Sequence, residues 1–390
     1  MCEANSGAWG ADEPFAGSVS MTVLGVSNVT NSGGLNISGA QTRFLTEAER
    51  TAVCRAGDLL VVKSSGSATN IRSGKTGLCP RELDGKIAVS NFMIRLLVRR
   101  ELADPYLLWL VLNSEDAKAH VRLIAGSTTY PNIKWSAFKD FTFSLPSLPE
   151  QRRIAGILKE QMAEVEKARR ATEAQLAAAR ALPAAYLRQV FDSEEAKKWP
   201  RRKLGDVTSI VASQVDPRKQ EYGDLPHVSA ENIESGRCRL LYINSAAHDG
   251  MISGKYLFEP EDVLYSKLRP YLRKAMVADF RGVCSADMYP VRVDRNTLDP
   301  HFTAWTLVAD EFTSYADSES RRARMPKLNR DQLFAWMMPV PSLARQREVA
   351  GFLAGEFGST ESTRQRIEAQ LETINKLPVA LLRKAFAGGV

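Results

Sequence analysis

Apolar positions along this chain follow two rhythms, and the longer one occurs twice. From Pro149 to Leu182 the residues Ile154, Leu158, Met162, Val165, Ala168, Leu176, Ala179 and Leu182 recur mostly at steps of three and four, against a background of Ala, Glu, Gln, Arg and Lys. Those residue types favour helix, and that spacing draws an apolar seam along one helical face. Val349, Leu353, Phe357, Ile367, Leu371, Ile374 and Leu377 draw the same seam later in the chain. LPSLPEQRRIAGIL at 145 matches VPSLARQREVAGFL at 340, and EAQLAAARALPAAYLRQVF at 173 matches EAQLETINKLPVALLRKAF at 368, with 8 of 14 and 10 of 19 positions identical at one offset of 195. A unit of about domain size has been duplicated. A register held without insertion is what a continuous helix requires. Pro149 and Glu150 suit a first helical turn. Leu182-Pro183 and Leu377-Pro378 should end or kink the helices, which then restart as AAYLRQVF and VALLRKAF. The stretch of about 34 residues before each proline spans roughly 50 Å. Neither helix can bury its seam alone, so the two are predicted to pair antiparallel.

The shorter rhythm marks strands: VSMTVLGVSNV, DLLVVKS, IAVSNFMIRLLV, DVLYSKL, KAMVADF and MYPVRV, mixed with helical PYLLWLVLNSEDAKAHV and HFTAWTLVADEFTSYA. These runs are also related. Asn28 matches Asn232, and Asp58–Lys63 matches Asp262–Lys267, at an offset of 204; Ser90 with Ser285, Asp104-Pro105 with Asp299-Pro300 and Pro131 with Pro326 return to 195. The first copy therefore carries nine extra residues between Lys63 and Ser90, a Gly- and Ser-rich stretch that reads as a surface loop. The fold class predicted is α+β: two pseudo-repeated mixed α/β heads separated by two long antiparallel paired helices, related by a pseudo-twofold. The expected boundaries are a first head at 1–144, a first long helix at 145–192, a linker at 193–202, a second head at 203–339 and a second long helix at 340–390. Two similar heads on a helical spacer make a ruler.

Composition adjusts this picture only slightly. With 44% apolar residues both heads can bury cores, and a net charge of +7 permits nucleic acid as a partner without requiring it. Cys2, Cys54, Cys79, Cys238 and Cys284 are odd in number and lack CxxC spacing, which predicts reduced thiols in a cytoplasm and no zinc site. The opening MCEANSGAWGADEP has neither a basic segment nor an apolar core, and no run approaches the roughly 20 apolar residues of a membrane span, so a soluble, cytoplasmic chain with no membrane partner is expected.

Catalytic constellations are not evident. Gly74-Lys75-Thr76 resembles the end of a phosphate-binding loop, but Thr69 stands where the earlier glycine belongs. Glu164-Val165-Glu166-Lys167 contains an ExK pattern on the long helix and reads as a solvated charge run. His120, His227, His248 and His301 are scattered without ligand spacing, so neither catalytic nor metal residues are expected. Basic residues are better placed. Lys63, Arg72 and Lys75 belong to the long loop of the first head, with Asn132, Lys134 and Trp135 further on; Lys267, Arg269 and Tyr271 in the second head are followed by Arg321, Arg322, Arg324 and Lys327. Arg and Lys grip phosphates and read guanine, and Asn can read adenine, so these are the candidate DNA-binding residues. From residues alone, three other readings stay open: a two-headed scaffold that binds proteins, a stand-alone DNA-binding protein, and an enzyme without a recognisable motif.

Two variable heads, each followed by a long helix opening on Pro146-Ser147-Leu148-Pro149-Glu150-Gln151-Arg152-Arg153-Ile154 or Pro341-Ser342-Leu343-Ala344-Arg345-Gln346-Arg347-Glu348-Val349, resemble the specificity subunits of type I restriction-modification systems. Arg345 departs from Glu150, and Leu204-Gly205-Asp206-Val207, a usual opening of the second head, has no counterpart at the start of the first. The resemblance implies a non-catalytic subunit whose heads are target recognition domains, each reading half of a bipartite, asymmetric DNA site while the paired helices set the spacer. It also implies double-stranded DNA, two docked methyltransferase subunits and restriction subunits with motor activity as partners. S-adenosylmethionine, ATP and Mg would then belong to those partners and no cofactor to this chain.

Overall fold

The computed structural model describes residues 1–67, 70–125, 131–211, 213–320 and 326–386, with 67, 70 and 386 described by backbone alone. Contacts divide the chain into two compact units, Met1–Arg170 with Glu372–Val390, and Ala171–Leu371.

In the first unit one sheet is built from β1 (Cys2–Ser6), β4 (Leu59–Val62), β5 (Thr76–Leu78) and β7 (Met93–Val98), and a second from β2 (Val19–Leu24), β3 (Gln41–Leu45) and β6 (Ile87–Val89). The first runs β1-β7-β4-β5, all antiparallel, and the second runs β3-β2-β6 with β2 parallel to β6. All four residues of β4 are buried, as an uninterrupted apolar run between two neighbours should be. Helices α1 (Pro105–Leu112) and α2 (Glu115–Ala125) follow, and Asp104 starts α1 by accepting from the amides of Tyr106 and Leu107 just ahead of Pro105 at N1. The stretch expected as a surface loop is more ordered than that. It supplies edge strand β5 and the two-stranded hairpin Gly66–Ser67/Asn70–Ile71, because Thr76, Gly77 and Cys79 are buried beside β4.

The second unit repeats the plan. Strands β8 (Thr208–Ile210), β11 (Val263–Ser266), β12 (Ala275–Val277) and β14 (Met288–Val293) form a sheet in the order β8-β14-β11-β12, while β9 (Pro226–Val228), β10 (Lys255–Phe258) and β13 (Gly282–Cys284) belong to the other, with β9 parallel to β13. Leu24 pairs with Val89 as Val228 pairs with Cys284, so the duplication holds residue by residue across the parallel pair. Helices α4 (Pro300–Val308) and α5 (Asp310–Ser320) follow, and Asp299 caps α4. Ahead of β8 the second unit also has a strand at Arg201–Lys203 and a short helix at Leu204–Val207, whereas β1 begins at Cys2.

The long helices are α3 (Leu148–Phe191) and α6 (Leu343–Phe386), 44 residues and about 66 Å each. Both continue without a break through Pro183 and Pro378, expected to end or kink them. Pro183 cannot donate to Ala179, a loss of about 3 kcal/mol in an isolated helix. Here Pro183 itself lies on the buried face, in the series Thr172, Leu176, Ala179, Pro183 and Leu187. Packing on that face carries the helix across the gap. Leu182 and Leu377, expected in the seam, are instead 38% and 39% exposed. Antiparallel pairing is seen within each unit. In the first, Leu381, Leu382 and Ala385 near the end of α6 pack on Ile154, Ala155 and Leu158 near the start of α3. In the second, Leu187 and Phe191 near the end of α3 share a core with Val349, Ala350 and Leu353 near the start of α6, and Tyr186 meets Phe352 edge-on at 6.2 Å.

One repeated residue locks each head onto its helix. Gln346 is fully buried; its Oε1 accepts from the Asp299 amide at 2.8 Å and its Nε2 donates to the carbonyls of Thr297 at 2.9 Å and Pro341 at 2.8 Å. Gln151 does the same with the Asp104 amide at 2.9 Å and the carbonyls of Leu102 at 3.3 Å and Pro146 at 2.9 Å. Arg345, where the first copy has Glu150, has partners of its own: it forks onto Glu195 at 2.7 and 2.8 Å and pairs with Glu348.

Candidate nucleic-acid interface

In both heads a short turn ending in a buried Asn faces a cleft. Asn28 Oδ1 accepts from the Gly25 amide at 2.8 Å and its Nδ2 donates to the Asn36 carbonyl at 2.7 Å; Asn232 Oδ1 accepts from the Ser229 amide at 2.7 Å and its Nδ2 donates to the Tyr242 carbonyl at 3.4 Å. Both side chains are spent on the turn, so the repeated Asn serves as scaffold. Around this shared turn the clefts diverge. That of the first head, about 430 Å³, is lined by Trp9, Gln41, Arg43, Arg72, Ser90 and Phe92 among others. That of the second, about 820 Å³, is lined by His227, Asn244, Asp249, Lys255, Arg269 and Lys274 among others.

The first-head candidates converge. Lys63 accepts at its carbonyl from the Ile133 amide, Ser64 bridges Asn132, and Ser73 Oγ donates to the Pro131 carbonyl at 2.7 Å, so 63–65, 72–75 and 131–134 form one surface. Arg72, Asn132 and Lys134 are exposed on it. Lys75 is half-buried and bonded to Asn31; burial, with the neighbouring Arg72 charge, holds its ammonium below the usual lysine range. Trp135 behaves otherwise, packing on Phe138 at 6.0 Å against the core of the first head.

In the second head Lys267, Arg269 and Lys327 also converge, since the Leu328 amide donates to the Lys267 carbonyl and the Arg269 amide to that of Pro326. Lys267 is no free cation, however. It is 7% exposed, bonded to the Ala286 carbonyl and 4.8 Å from the ring centroid of Tyr289, and burial lowers its pKa. Arg269 and Tyr271 are exposed on a turn bracketed by left-handed residues, Arg269 and Arg273 both at φ 50°. Non-glycine residues adopt this conformation at a cost, commonly at functional sites. Arg273 is tied to Asp310 at 2.5 Å. Arg321, Arg322 and Arg324 lie outside the described residues.

Two features were not legible in the residues. His227 and His248, scattered in sequence, meet at Asp249: His227 Nδ1 lies 2.9 Å from its Oδ2, His248 Nδ1 lies 3.5 Å from its Oδ1, and Asn244 donates to Oδ1 at 3.0 Å. The hydrogen bond from His227 holds the Asp249 carboxyl below its usual range. In the first head, Trp9 and Phe92 stand 49% and 48% exposed, edge to face at 6.1 Å, with the Arg43 guanidinium 5.0 Å over Trp9. Distance in sequence hides both groups.

The motifs set aside in the sequence have structural places. Thr76 of Gly74-Lys75-Thr76 enters strand β5, not a helix, and a Cβ on Gly74 would lie 2.6 Å from Val121, so no phosphate cradle opens there. Glu166 forks onto Arg169 and bonds Arg170, which pull its carboxyl down to about 2, while Lys167 pairs with Glu164. Among the described residues no three His, Cys, Asp or Glu side chains converge as metal ligands. All five cysteines are free thiols, and burial pushes Cys79 and Cys284 up to about 12. No described helix is long and apolar enough to cross a membrane.

Residues 65–174 match the type I restriction modification DNA specificity domain. The chain is 27% identical over 296 residues to the type I restriction enzyme EcoDI specificity subunit of Escherichia coli, covering 67% of this chain. It is 22% identical over 203 residues to the putative type I restriction enzyme MjaX specificity subunit of Methanocaldococcus jannaschii, covering 49%. These matches span 65% and 46% of the two relatives' own lengths. The fold resembles a chain from a structure describing complex assembly and conformational transition of the type I R-M system, with a TM-score of 0.72 and 20% identity over 96% of this chain and 93% of that one. It also resembles the HsdS subunit of Thermoanaerobacter tengcongensis, with a TM-score of 0.61 and 21% identity over 96% of this chain and 92% of that one. Two heads on one plan, each followed by a long helix, give the chain the fold of these structures, and its sequence is similar to type I restriction enzyme specificity subunits over 67% of its length.

Proposed function

We propose that this chain is the non-catalytic DNA-recognition subunit of a type I restriction-modification complex in the cytoplasm. Each head reads one half of a bipartite, asymmetric site in double-stranded DNA. The paired helices hold the spacer and dock two methyltransferase subunits, which restriction subunits with motor activity then join. S-adenosylmethionine, ATP and Mg act on those partners. The observation that carries this reading is the contrast between the clefts: one turn, one parallel strand pair and one glutamine clasp recur in both heads, while the lining changes from aromatic and guanidinium groups to a His-Asp-Asn group with lysines. A duplicated scaffold with divergent clefts suits two readers of different sequences.

The residues assigned to DNA are Lys63, Arg72, Lys75, Asn132 and Lys134 in the first head and Arg269, Tyr271, Arg321, Arg322, Arg324 and Lys327 in the second. Trp135 and Lys267 support them from behind. The deciding experiment co-expresses the chain with its methyltransferase subunits in a host free of DNA methylation and maps modified bases across the genome. A split motif with a constant gap is expected. A short continuous motif, or methyl transfer by the purified chain alone, would overturn the reading.

A further inference from the structure

In the first head Ser90 is 3% exposed and belongs to the wall of the cleft, and its Oγ, enclosed in the free head, has no hydrogen-bond partner. Buried hydroxyls are almost always paired, and leaving one unpaired costs stability. The backbone offers no reason for a hydroxyl here. Ser90 donates its amide to the Leu24 carbonyl at 2.9 Å and accepts from the Met93 amide at 2.9 Å, a pattern that Ser285 repeats with Val228 and Met288. Ser285 differs in that its Oγ accepts from the Asp287 amide at 3.3 Å. Access to Ser90 is shaped by Gly7, where a Cβ would stand 1.9 Å from the Ser90 carbonyl oxygen; only glycine lets segment 7–9 cross so close and set Trp9 beside Phe92. Arg43 lies over the Trp9 ring, itself held by Asp12 and, at 2.7 Å, by Gln41. The second head has Asp287 in the place of Phe92.

We propose that Ser90, Trp9 and Phe92 form a base-reading pocket for thymine, the enclosed Ser90 hydroxyl turning about its Cα–Cβ bond into the cleft to donate to O4 while the two rings take up the adjacent C5-methyl. Thymine alone among the bases places an acceptor beside a methyl on its major-groove edge, and aromatic side chains are suited to that methyl. The orphan hydroxyl is then a vacancy that DNA fills. This rests on the reading of the heads as DNA-recognition domains.

The test uses the full methyltransferase complex carrying Ser90→Ala, Trp9→Ala or Phe92→Ala, with motif mapping and duplex binding. Each variant is expected to relax one thymine position in one half-site, with discrimination falling roughly tenfold to a hundredfold, while the other half and the gap stay unchanged. Replacing that thymine with deoxyuridine should weaken the wild-type complex and leave Trp9→Ala indifferent. Ser90→Ala should melt at or above the wild-type temperature, which separates a reading role from a structural one. Unchanged motifs in all three variants, a half-site without thymine, or equal sensitivity to deoxyuridine in Trp9→Ala would overturn the pocket while leaving the two-headed reading intact. A wild-type complex with no split motif would remove that reading, and the pocket with it.

Discussion

Replacing Gln346 with alanine removes the clasp that holds the second head on α6. The Asp299 amide and the carbonyls of Thr297 and Pro341 each lose a bond of 2.8 to 2.9 Å, and Gln346 is fully buried, so water does not replace it. Three net bonds at about 1 kcal/mol each, plus part of the penalty for three buried groups left unpaired, give a cost of about 3 to 5 kcal/mol. Gln346→Glu should be no milder, because it keeps the acceptor, loses both donations and buries a charge against two carbonyls. Gln151→Ala should cost less, since its bond to Leu102 is 3.3 Å long. Urea unfolding of the full chain followed by hydrogen exchange measures this region by region. Faster exchange should appear at 297–299 and across the start of α6. A loss under about 1 kcal/mol, or one spread evenly over both units, would refute the clasp as the joint between head and helix.

Arg72→Ala and Arg269→Ala should each weaken DNA binding and lower the slope of log affinity against log salt by about one; unchanged slopes would remove them from the phosphate contacts. Arg95→Met leaves Asp58, 2.6 Å from Arg95 Nε and 8% exposed, as an uncompensated buried charge, and should cost about 3 to 5 kcal/mol in denaturant unfolding. Glu361 is paired with Arg364 at 2.6 Å, and its carboxyl is pulled down to about 2; a carboxyl lowered by folding stabilises above its unfolded pKa. That contribution is fully present above about 4.5 and disappears as pH falls towards about 2, so acid unfolding of Glu361→Gln should be less steep over that interval. Leu182→Asp or Val379→Asp, at sites 38% exposed on the long helices, should leave melting unchanged and reduce co-purification of methyltransferase subunits; full co-purification would place docking elsewhere.

What the sequence disclosed depended on how far apart the cooperating residues lie. The duplication, the strands around Leu59–Val62 and Val263–Ser266, and the Asp-Pro helix starts depend on neighbours a few positions away, and the structure has them as expected. Pro183 misled because local backbone chemistry argues for a break, whereas the buried face that carries the helix across it depends on tertiary packing. Lys267 misled in the opposite sense: its charge suggested a surface, but it directly follows a buried strand and is itself buried. Gln151 and Gln346 were visible as a repeated letter and not as a clasp, because their partners lie 47 to 49 residues upstream as well as beside them.

The contrast between Ser90 and Ser285 carries the argument about divergence one step further. Duplicated heads begin with one cleft, and each can change its reading only at positions the scaffold does not use. Asn28 and Asn232 are spent on their turns, and the glutamines on their clasps, so those positions are closed to change. Ser90 and Ser285 keep the same backbone bonds, yet one hydroxyl is satisfied within its own loop and the other is left without a partner. The residue two places on is Phe92 in one head and Asp287 in the other, and it lies outside the paired residues of the strand that follows. A single loop position can thus alter what a head presents without disturbing either sheet. A head built this way can change what its cleft presents while its sheets and its long helix stay as they are.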